Sequence, residues 1–357
     1  TPAEYKQYSV IKSVVKLALF AILIYLLWGF FAVIEWSAVF DGIANLSVRA
    51  WVGLILVTVM WVVSESLVLA SVLPGLRIGN AIQAFLAPTA AASIIPGPAD
   101  LVARFAMYDS WGFTKEQTSV SITASFFFVT GAKISLPIFG AIALWWYGRL
   151  GSEVPDLTAV ALIAAAVLIG TVIVLTSVLR SAELAGAIGR WIGATAHRLA
   201  GPFRIQVEQD LAEALATTLV NFQTSAGQLI KKVWWKAAAA ALFAQFMQFL
   251  ILLTALRGVG ITSEILNTAE IFAAFSLVQI ITAIPISPGG LGIAEAAYIT
   301  FLVVESDPEM AELVTAGTLI YRLFSWILII PAGGIVWLWW SRNQTSDSRP
   351  PPNTNRQ

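Results

Sequence analysis

The sequence predicts an all-α integral membrane protein with six spanning helices and two re-entrant helical hairpins, arranged as an inverted repeat. Of its 357 residues, 58% are apolar and only 12% are charged, and the mean hydropathy is +0.80. A soluble domain carries about 25% charged residues, so we expect most of this surface to face lipid. Prolines and glycines interrupt two of the long apolar stretches, and these interruptions distinguish the hairpins from the spans.

Six apolar segments are predicted to cross the membrane. A helix needs about 20 apolar residues to cross a hydrocarbon core of about 30 Å. Each of the six is long enough and carries few charges, so we interpret each as one spanning helix. The segments are 13–35, 51–72, 116–146, 157–178, 233–256 and 311–341.

Two further apolar stretches, 80–110 and 264–306, contain helix-breaking residues. Proline removes a backbone donor and glycine favours non-helical turns, so each break leaves backbone groups unpaired. Within lipid this is tolerated only where protein covers the chain or where it lines a watery cavity. We therefore interpret both stretches as re-entrant hairpins. The breaks are Pro96, Gly97 and Pro98 in the first, and Pro288, Gly289, Gly290 and Gly292 in the second.

The distribution of lysine and arginine supports this topology. If the hairpins do not cross, the basic N-terminus, the basic inner loop and the C-terminal tail all lie on one side. The three loops on the other side then hold one basic residue each, Arg49, Arg149 and Arg257. This satisfies the positive-inside rule. It predicts a multi-pass protein of the cell (plasma) membrane with both termini in the cytoplasm.

The same topology predicts an internal repeat. A unit of two spans, a hairpin and a long span occurs twice with opposite orientation, in residues 1–150 and in residues 151–341. The second copy carries a cytoplasmic insertion at 179–232, and residues 342–357 are predicted to form a disordered tail. Inverted repeats with broken helices are typical of secondary transporters, whose binding sites lie near the membrane midplane at the breaks.

Six ionisable residues are predicted to lie inside the membrane, close to the two breaks or near the midplane. A charge at the centre of a spanning helix costs about 2.5–3.5 kcal/mol, so each is a candidate functional residue. Lys133 and Arg322 lie roughly 17 Å inside the outer interface at 1.5 Å per residue. The six are Glu65, Asp100, Arg104, Lys133, Glu295 and Arg322.

These residues favour a site for a phosphate. The short helices after the breaks present N-terminal N–H groups and a partial positive charge, both of which suit an anion. Arg104, Lys133 and Arg322 can hold the charge of a phosphate, and arginine adds bidentate geometry. The carboxylates can balance these cations when the site is empty, bind an amine or sugar hydroxyls, or carry a proton. Glu65 is the candidate for such a coupling or supporting role.

A simpler, structural interpretation remains open for the same charges. Asp100 and Arg104 are four residues apart and can form an ion pair along one helix. Lys133 and Arg322 can pair with Glu65 and Glu295 to hold helices together. Three membrane glutamines are expected to form hydrogen bonds between helices rather than to contact a ligand. They are Gln245, Gln248 and Gln279.

Several functional classes are disfavoured by the residues that are missing. The formal net charge is zero, so we expect no nucleic-acid partner. The chain has no cysteine and a single histidine, His197, so we expect no metal site and no bound cofactor. No H-E-x-x-H motif and no paired acidic motif in an outer loop is present. We therefore predict no catalytic residue and expect a protein that is not an enzyme.

Two segments resemble motifs of one membrane-protein family. SPGGLGIAEAA at 287–297, followed in the last span by Tyr321-Arg322, resembles the signature of the transmembrane region of lysylphosphatidylglycerol synthases. This region is the flippase domain of the multiple-peptide-resistance proteins and has stand-alone relatives. PGPADLVARFAMYDSWGF at 96–113 is similar to an earlier family segment, although Ala99-Asp100 replaces the usual glycine-acidic step. The resemblance covers essentially the whole chain.

The resemblance implies a lipid flippase that moves a phosphate-containing lipid between leaflets, with Asp100, Arg104, Glu295 and Arg322 in its site. No synthase domain follows Trp340 in this sequence, so we expect a stand-alone member supplied by a separate lipid-modifying enzyme. The lipid is left open between a phospholipid, aminoacylated or not, and a polyprenyl-phosphate-linked sugar. A homo-oligomer is also left open. The alternatives are a membrane enzyme acting on a lipid-linked substrate and a secondary transporter of a small solute or ion.

Overall fold

The computed structural model describes residues 46–94, 99–146, 211–282, 292–303 and 308–347, together with isolated positions between them. Every regular element in these residues is helical. The predicted span 13–35 lies outside the described residues, as does the predicted span 157–178 apart from single positions. The same holds for most of the break residues, namely Pro96, Gly97, Pro98, Pro288, Gly289 and Gly290.

Nine α-helices and one π-helical turn follow one another in the described part of the chain. One helix start shows a common capping pattern, in which Asn267 and Glu270 form a reciprocal capping box. The helices are α1 Val48–Val72, α2 Ile78–Ile94, α3 Ala99–Ser110, α4 Lys115–Trp146, α5 Leu211–Gly258, α6 Thr268–Ile281, α7 Ile293–Leu302, α8 Pro308–Arg322 and α9 Ile329–Asp347, with the π-helical turn Leu323–Ile327 between α8 and α9.

Four helical segments in the described residues are long and apolar enough to cross a membrane. They agree with four of the six predicted spans, which are thereby confirmed by length and composition. The other two predicted spans lie outside the described residues. The four segments are Val48–Val72, Lys115–Trp146, Val233–Gly258 and Glu309–Asn343.

Two helices are longer than the sequence analysis expected. Helix α5 begins at Leu211, so the end of the predicted cytoplasmic insertion and the span at 233–256 form one continuous helix. Helix α9 continues to Asp347, past the start of the predicted tail at residue 342. Residues 342–347 are polar and residues 211–232 are less apolar than the spans, so the sequence does not predict either segment as part of a span. Extending an existing helix costs much less than starting one, so polar residues can continue it.

The last span contains an irregularity that was not predicted. The N–H of Leu328 donates to the carbonyl of Leu323 at 2.9 Å, the five-residue spacing of a π-helix. Pro331 follows four residues after the end of this turn, and it has no N–H to donate to the carbonyl of Ile327. The proline therefore gives a physical reason for the break in α-helical bonding. The turn holds one extra residue compared with an α-helical turn, so the side-chain positions of α9 are rotated about the helix axis relative to those of α8.

The two interrupted stretches each fold into a pair of packed helices. Helices α2 and α3 contact each other on either side of the first break, and α6 and α7 do so on either side of the second. Gly292, at the start of α7, has a φ of +78°, a conformation that glycine adopts at little cost. Paired helices joined at a break are the arrangement that a helical hairpin requires.

The long helices and the hairpins pack in a reciprocal pattern. Helix α4, in the first half of the chain, lies against α6 of the second hairpin, while α9, in the second half, lies against α2 of the first. Both contacts use a glycine. A Cβ at Gly140 would lie 2.8 Å from Ser276 Oγ, and one at Gly333 would lie 2.3 Å from the Leu86 carbonyl oxygen. Helices α1 and α5 also pack together at the centre.

Candidate functional site

A cavity of about 410 Å³ lies where the two hairpins meet the long helices. Helices α1 to α8 all contribute to its wall, in some cases with a single side chain. Most of the ionisable residues that the sequence places inside the membrane are found here. Those that line the cavity are Glu65, Asp100, Arg104, Lys133 and Arg322.

Arg322 and Glu295 form a buried ion pair at one side of this cavity. Arg322 Nε donates to Glu295 Oε1 at 2.8 Å, and the two side chains are 10% and 14% exposed. The guanidinium also lies 5.6 Å from the ring centroid of Trp326, within the range of a cation–π contact. Glu295 occupies the first turn of α7, where the helix dipole favours a negative charge. It therefore orients Arg322 without itself lining the cavity.

The other four charged residues do not form ion pairs within 4.0 Å with any described residue. The alternative pairing of Asp100 with Arg104 is therefore not observed. Arg104 Nε is buried and has no hydrogen-bond partner among the described residues. Glu65 lies within electrostatic range of both Lys133 and Arg104. The predicted structural pairing is thus found for Arg322 with Glu295 only.

The serines on either side of Glu65 are satisfied within their own helix. Ser64 Oγ donates to the Met60 carbonyl at 2.6 Å and Ser66 Oγ to the Val62 carbonyl at 2.7 Å. Such bonds to the preceding turn are common for helical serines in apolar surroundings. Of these three residues, Glu65 is the one that lines the cavity. In the described residues, no group of three His, Cys, Asp or Glu side chains is placed to hold a metal ion.

The predicted role of the glutamines is confirmed for one pair. Gln279 Nε2, on α6, donates to Gln248 Oε1, on α5, at 2.8 Å, and both side chains reach the cavity wall. Gln245 is buried on α5, and its Oε1 has no hydrogen-bond partner among the described residues. The Gln248–Gln279 bond fixes α6 against α5 directly beside the charged residues.

We expect this glutamine pair to contribute modestly to stability. Interhelical hydrogen bonds in membrane proteins average about 0.6 kcal/mol, because unpaired groups find other partners. A double-mutant cycle with Gln248→Leu and Gln279→Leu, followed by thermal unfolding in detergent, should give a coupling free energy near that value. A coupling above about 2 kcal/mol would show that the pair belongs to a larger polar network.

Aromatic rings complete the cavity wall, and none of them is among the predicted site residues. Three of these rings lie three or four residues from a charged site residue, on the same helix or, for Trp326, in the π-helical turn that directly follows α8. That spacing places the two side chains on one helical face, so it is a signal that the sequence does contain. The pairs are Trp61 with Glu65, Tyr298 with Glu295, and Trp326 with Arg322.

Two apolar residues of the wall are also exposed on the outer surface. Leu101, on α3, is 39% exposed and Phe126, on α4, is 66% exposed, whereas the other described wall residues are buried or half-buried. Helices α3 and α4 are joined by a short turn at 111–114. These two residues therefore belong both to the cavity wall and to the exposed apolar surface of the described part of the chain. We call this pair of residues, Leu101 and Phe126, the lateral mouth.

Comparison with known proteins identifies the family. The family model described as the lysylphosphatidylglycerol synthase TM region matches residues 13–333. Neither the curated proteins nor the solved structures gave a match to this chain. The matched region contains both segments that resemble family motifs, 96–113 and 287–297, and all six of the charged residues described above. The chain therefore belongs to the family of the lysylphosphatidylglycerol synthase transmembrane region.

Proposed function

We propose that the protein is a flippase that moves a phosphate-containing lipid between the leaflets of the cell membrane. The observation that carries this proposal is the combination of a charged cavity with an apolar lateral mouth. A lipid needs both features, because its head group must leave water while its chains stay in hydrocarbon. A water-soluble substrate does not require an opening towards the lipid.

The head group is held by the three cations of the cavity. Charge-assisted hydrogen bonds to phosphate are about twice as strong as neutral ones, and arginine can make two in parallel. Arg322 is held in place by Glu295 and Trp326, so little of its freedom is lost on binding. Arg104 and Lys133 line the same cavity without a paired carboxylate within 4.0 Å among the described residues. They are thus available to a phosphate.

The hydrocarbon chains leave through the lateral mouth. Leu101 and Phe126 are the exposed apolar residues among the described wall, and in this proposal they form the opening of the cavity towards lipid. Acyl or prenyl chains can therefore remain in the bilayer while the head group lies in the cavity. This division matches the separate polar and apolar parts of a membrane lipid.

The reciprocal helix packing supports an inverted repeat as the basis of transport. The contact of α4 with α6 and that of α9 with α2 relate the two halves of the chain in the same way. In this scheme the hairpins re-enter from opposite faces, both termini are cytoplasmic, and the two hairpins open the cavity alternately to each side. In this scheme neither hairpin spans the membrane.

Reconstitution into liposomes tests this function directly. Lipids carrying a fluorophore on the tail are incorporated, and a membrane-impermeant quencher reports how fast they reach the outer leaflet. We expect transbilayer movement to be accelerated, and no uptake of the matching water-soluble glycerophosphate compound. Uptake of the soluble compound without movement of lipid would support a solute transporter instead. A chemically altered lipid, seen by mass spectrometry, would support the enzyme alternative.

Lys133 offers a prediction with a matched control. Lys133→Gln removes a cavity cation and should slow lipid movement about tenfold or more, since a hydrogen bond to a charged group contributes about 1.5–3 kcal/mol. Lys236→Gln makes the same change on the exposed surface of α5, beside Trp235, and should leave the rate unchanged. Equal rates for the two variants would remove Lys133 from the proposed site.

A further inference from the structure

The charges of the described site cancel. Besides the three cations already described, the cavity and its ion pair contain three carboxylates. The empty site is therefore neutral in formal charge when all six groups are ionised. A net charge left inside a membrane protein is costly, because the surroundings have a low dielectric constant. Binding is thus least costly for a ligand that is itself neutral overall.

These charges are also distributed in a way that favours a ligand of both signs. Arg322 already has Glu295 as its partner, so the remaining charged residues are two cations and two carboxylates. Glu65 lies within electrostatic range of Lys133 and Arg104, and Asp100 is one helical turn from Arg104. None of the four forms an ion pair within 4.0 Å with a described residue. The opposite charges therefore line one cavity without forming ion pairs with each other.

An aromatic ring stands beside one of the carboxylates. Trp61 lines the cavity one helical turn before Glu65, and its ring is held edge-on against Phe85 with the centroids 5.6 Å apart. A carboxylate next to a fixed aromatic ring is a common arrangement for holding an ammonium group. The cations supply the opposite requirement, since arginine and lysine are the usual ligands of phosphate. The cavity thus contains the elements for recognising one phosphate and one amine.

We infer that the head group is zwitterionic, with its phosphate on Arg104, Lys133 and Arg322 and a single primary ammonium on Glu65 and Asp100. This inference rests on the proposed function and narrows its substrate class to an amine-containing phospholipid of zero net charge, of the phosphoethanolamine type. An anionic lipid would leave the cavity with one uncompensated negative charge. A head group with two amines would leave one uncompensated positive charge.

A set of lipids with the same labelled tails tests this inference in proteoliposomes. The probes are a phosphatidylethanolamine, its N-acetylated form, which keeps the phosphate but lacks the ammonium, and a phosphatidylglycerol. We expect the phosphatidylethanolamine to move at least about tenfold faster than either anionic probe, in line with the cost of an unbalanced charge. Equal rates for the three probes would overturn the inference but leave the flippase function standing. If no probe moves faster than in protein-free liposomes, the proposed function fails and the inference fails with it.

A double variant of the two carboxylates tests which residues bind the amine. In the double variant Glu65→Gln with Asp100→Asn, we expect the preference for phosphatidylethanolamine over its N-acetylated form to be lost, with the latter moving as fast or faster. An unchanged preference in a folded variant would overturn the assignment of the amine to these carboxylates. If the variant does not fold, as judged by size-exclusion chromatography, the comparison of probes on the unmodified protein still decides the inference.

Discussion

Replacing Arg322 with glutamine is expected to reduce lipid movement by about a hundredfold or more, the largest loss of transport from any single substitution. The side chain is 10% exposed and occupies the cavity wall at the end of α8. Removing it takes away a bidentate donor to phosphate, and a loss of about 3 kcal/mol corresponds to about a hundredfold. The rate of fluorescent-lipid quenching in proteoliposomes measures this effect.

The same substitution also lowers the stability of the protein, and this loss must be measured separately from the loss of transport. Without Arg322, Glu295 becomes a buried charge without its partner, and breaking such a pair costs about 3–5 kcal/mol. The double variant Arg322→Gln with Glu295→Gln removes both charges and should recover much of the thermal stability. It should remain inactive, because the phosphate donor is still absent. Full transport by this double variant would show that Arg322 acts only through helix packing.

Two further substitutions sharpen the interpretation. Arg322→Lys keeps the charge but not the planar, bidentate geometry, so we expect it to retain only a small part of the activity. Arg77→Gln removes an exposed arginine in the turn between α1 and α2 and serves as the matched control. Its rate should equal that of the unmodified protein.

Four of the predicted spans could be read from the sequence and are found as long apolar helices in the described residues. A span of apolar residues has a length set by the bilayer, so α1 and α4 begin and end within a few residues of their predicted bounds. Counting residues from the membrane interface placed Lys133 and Arg322 at similar depth, and both line the cavity. Depth along a helix follows from helix rise alone, which is why it can be counted.

The partners of the charged residues could not be predicted in the same way. Asp100 and Arg104 have ideal helical spacing for an ion pair, yet they do not pair within 4.0 Å, whereas Arg322 and Glu295 pair across two helices. Local spacing fixes which side chains share a face, but tertiary packing decides which of them meet. Nothing in the sequence distinguishes Leu101 or Phe126 as cavity residues, because an exposed apolar residue is ordinary in a membrane protein. That both residues line the cavity follows from tertiary packing, which the sequence does not show.

The close approach of α9 to α2 gives the prediction with the largest effect on stability. Gly333 is buried, and an added Cβ would lie 2.3 Å from the Leu86 carbonyl oxygen and 2.4 Å from Ala90 Cβ. The first of these atoms belongs to the backbone, so relief requires that a whole helix shift. Overpacking of this kind typically costs about 1–3 kcal/mol and occasionally more, and we expect Gly333→Ala to lie at the upper end. Thermal unfolding in detergent should show a lower midpoint.

The neighbouring residue provides a control with the same chemical change. Gly334 lies on the exposed side of α9, and nothing stands within 4 Å of its added Cβ. Gly334→Ala should leave the midpoint unchanged or raise it, because alanine is a better helix former than glycine by about 1 kcal/mol. Equal midpoints for the two variants would show that α9 and α2 are not in close contact. Because α2 leads through the first break into α3, a shift of α2 also displaces Asp100 and Arg104, so Gly333→Ala should slow lipid movement although it touches no cavity residue.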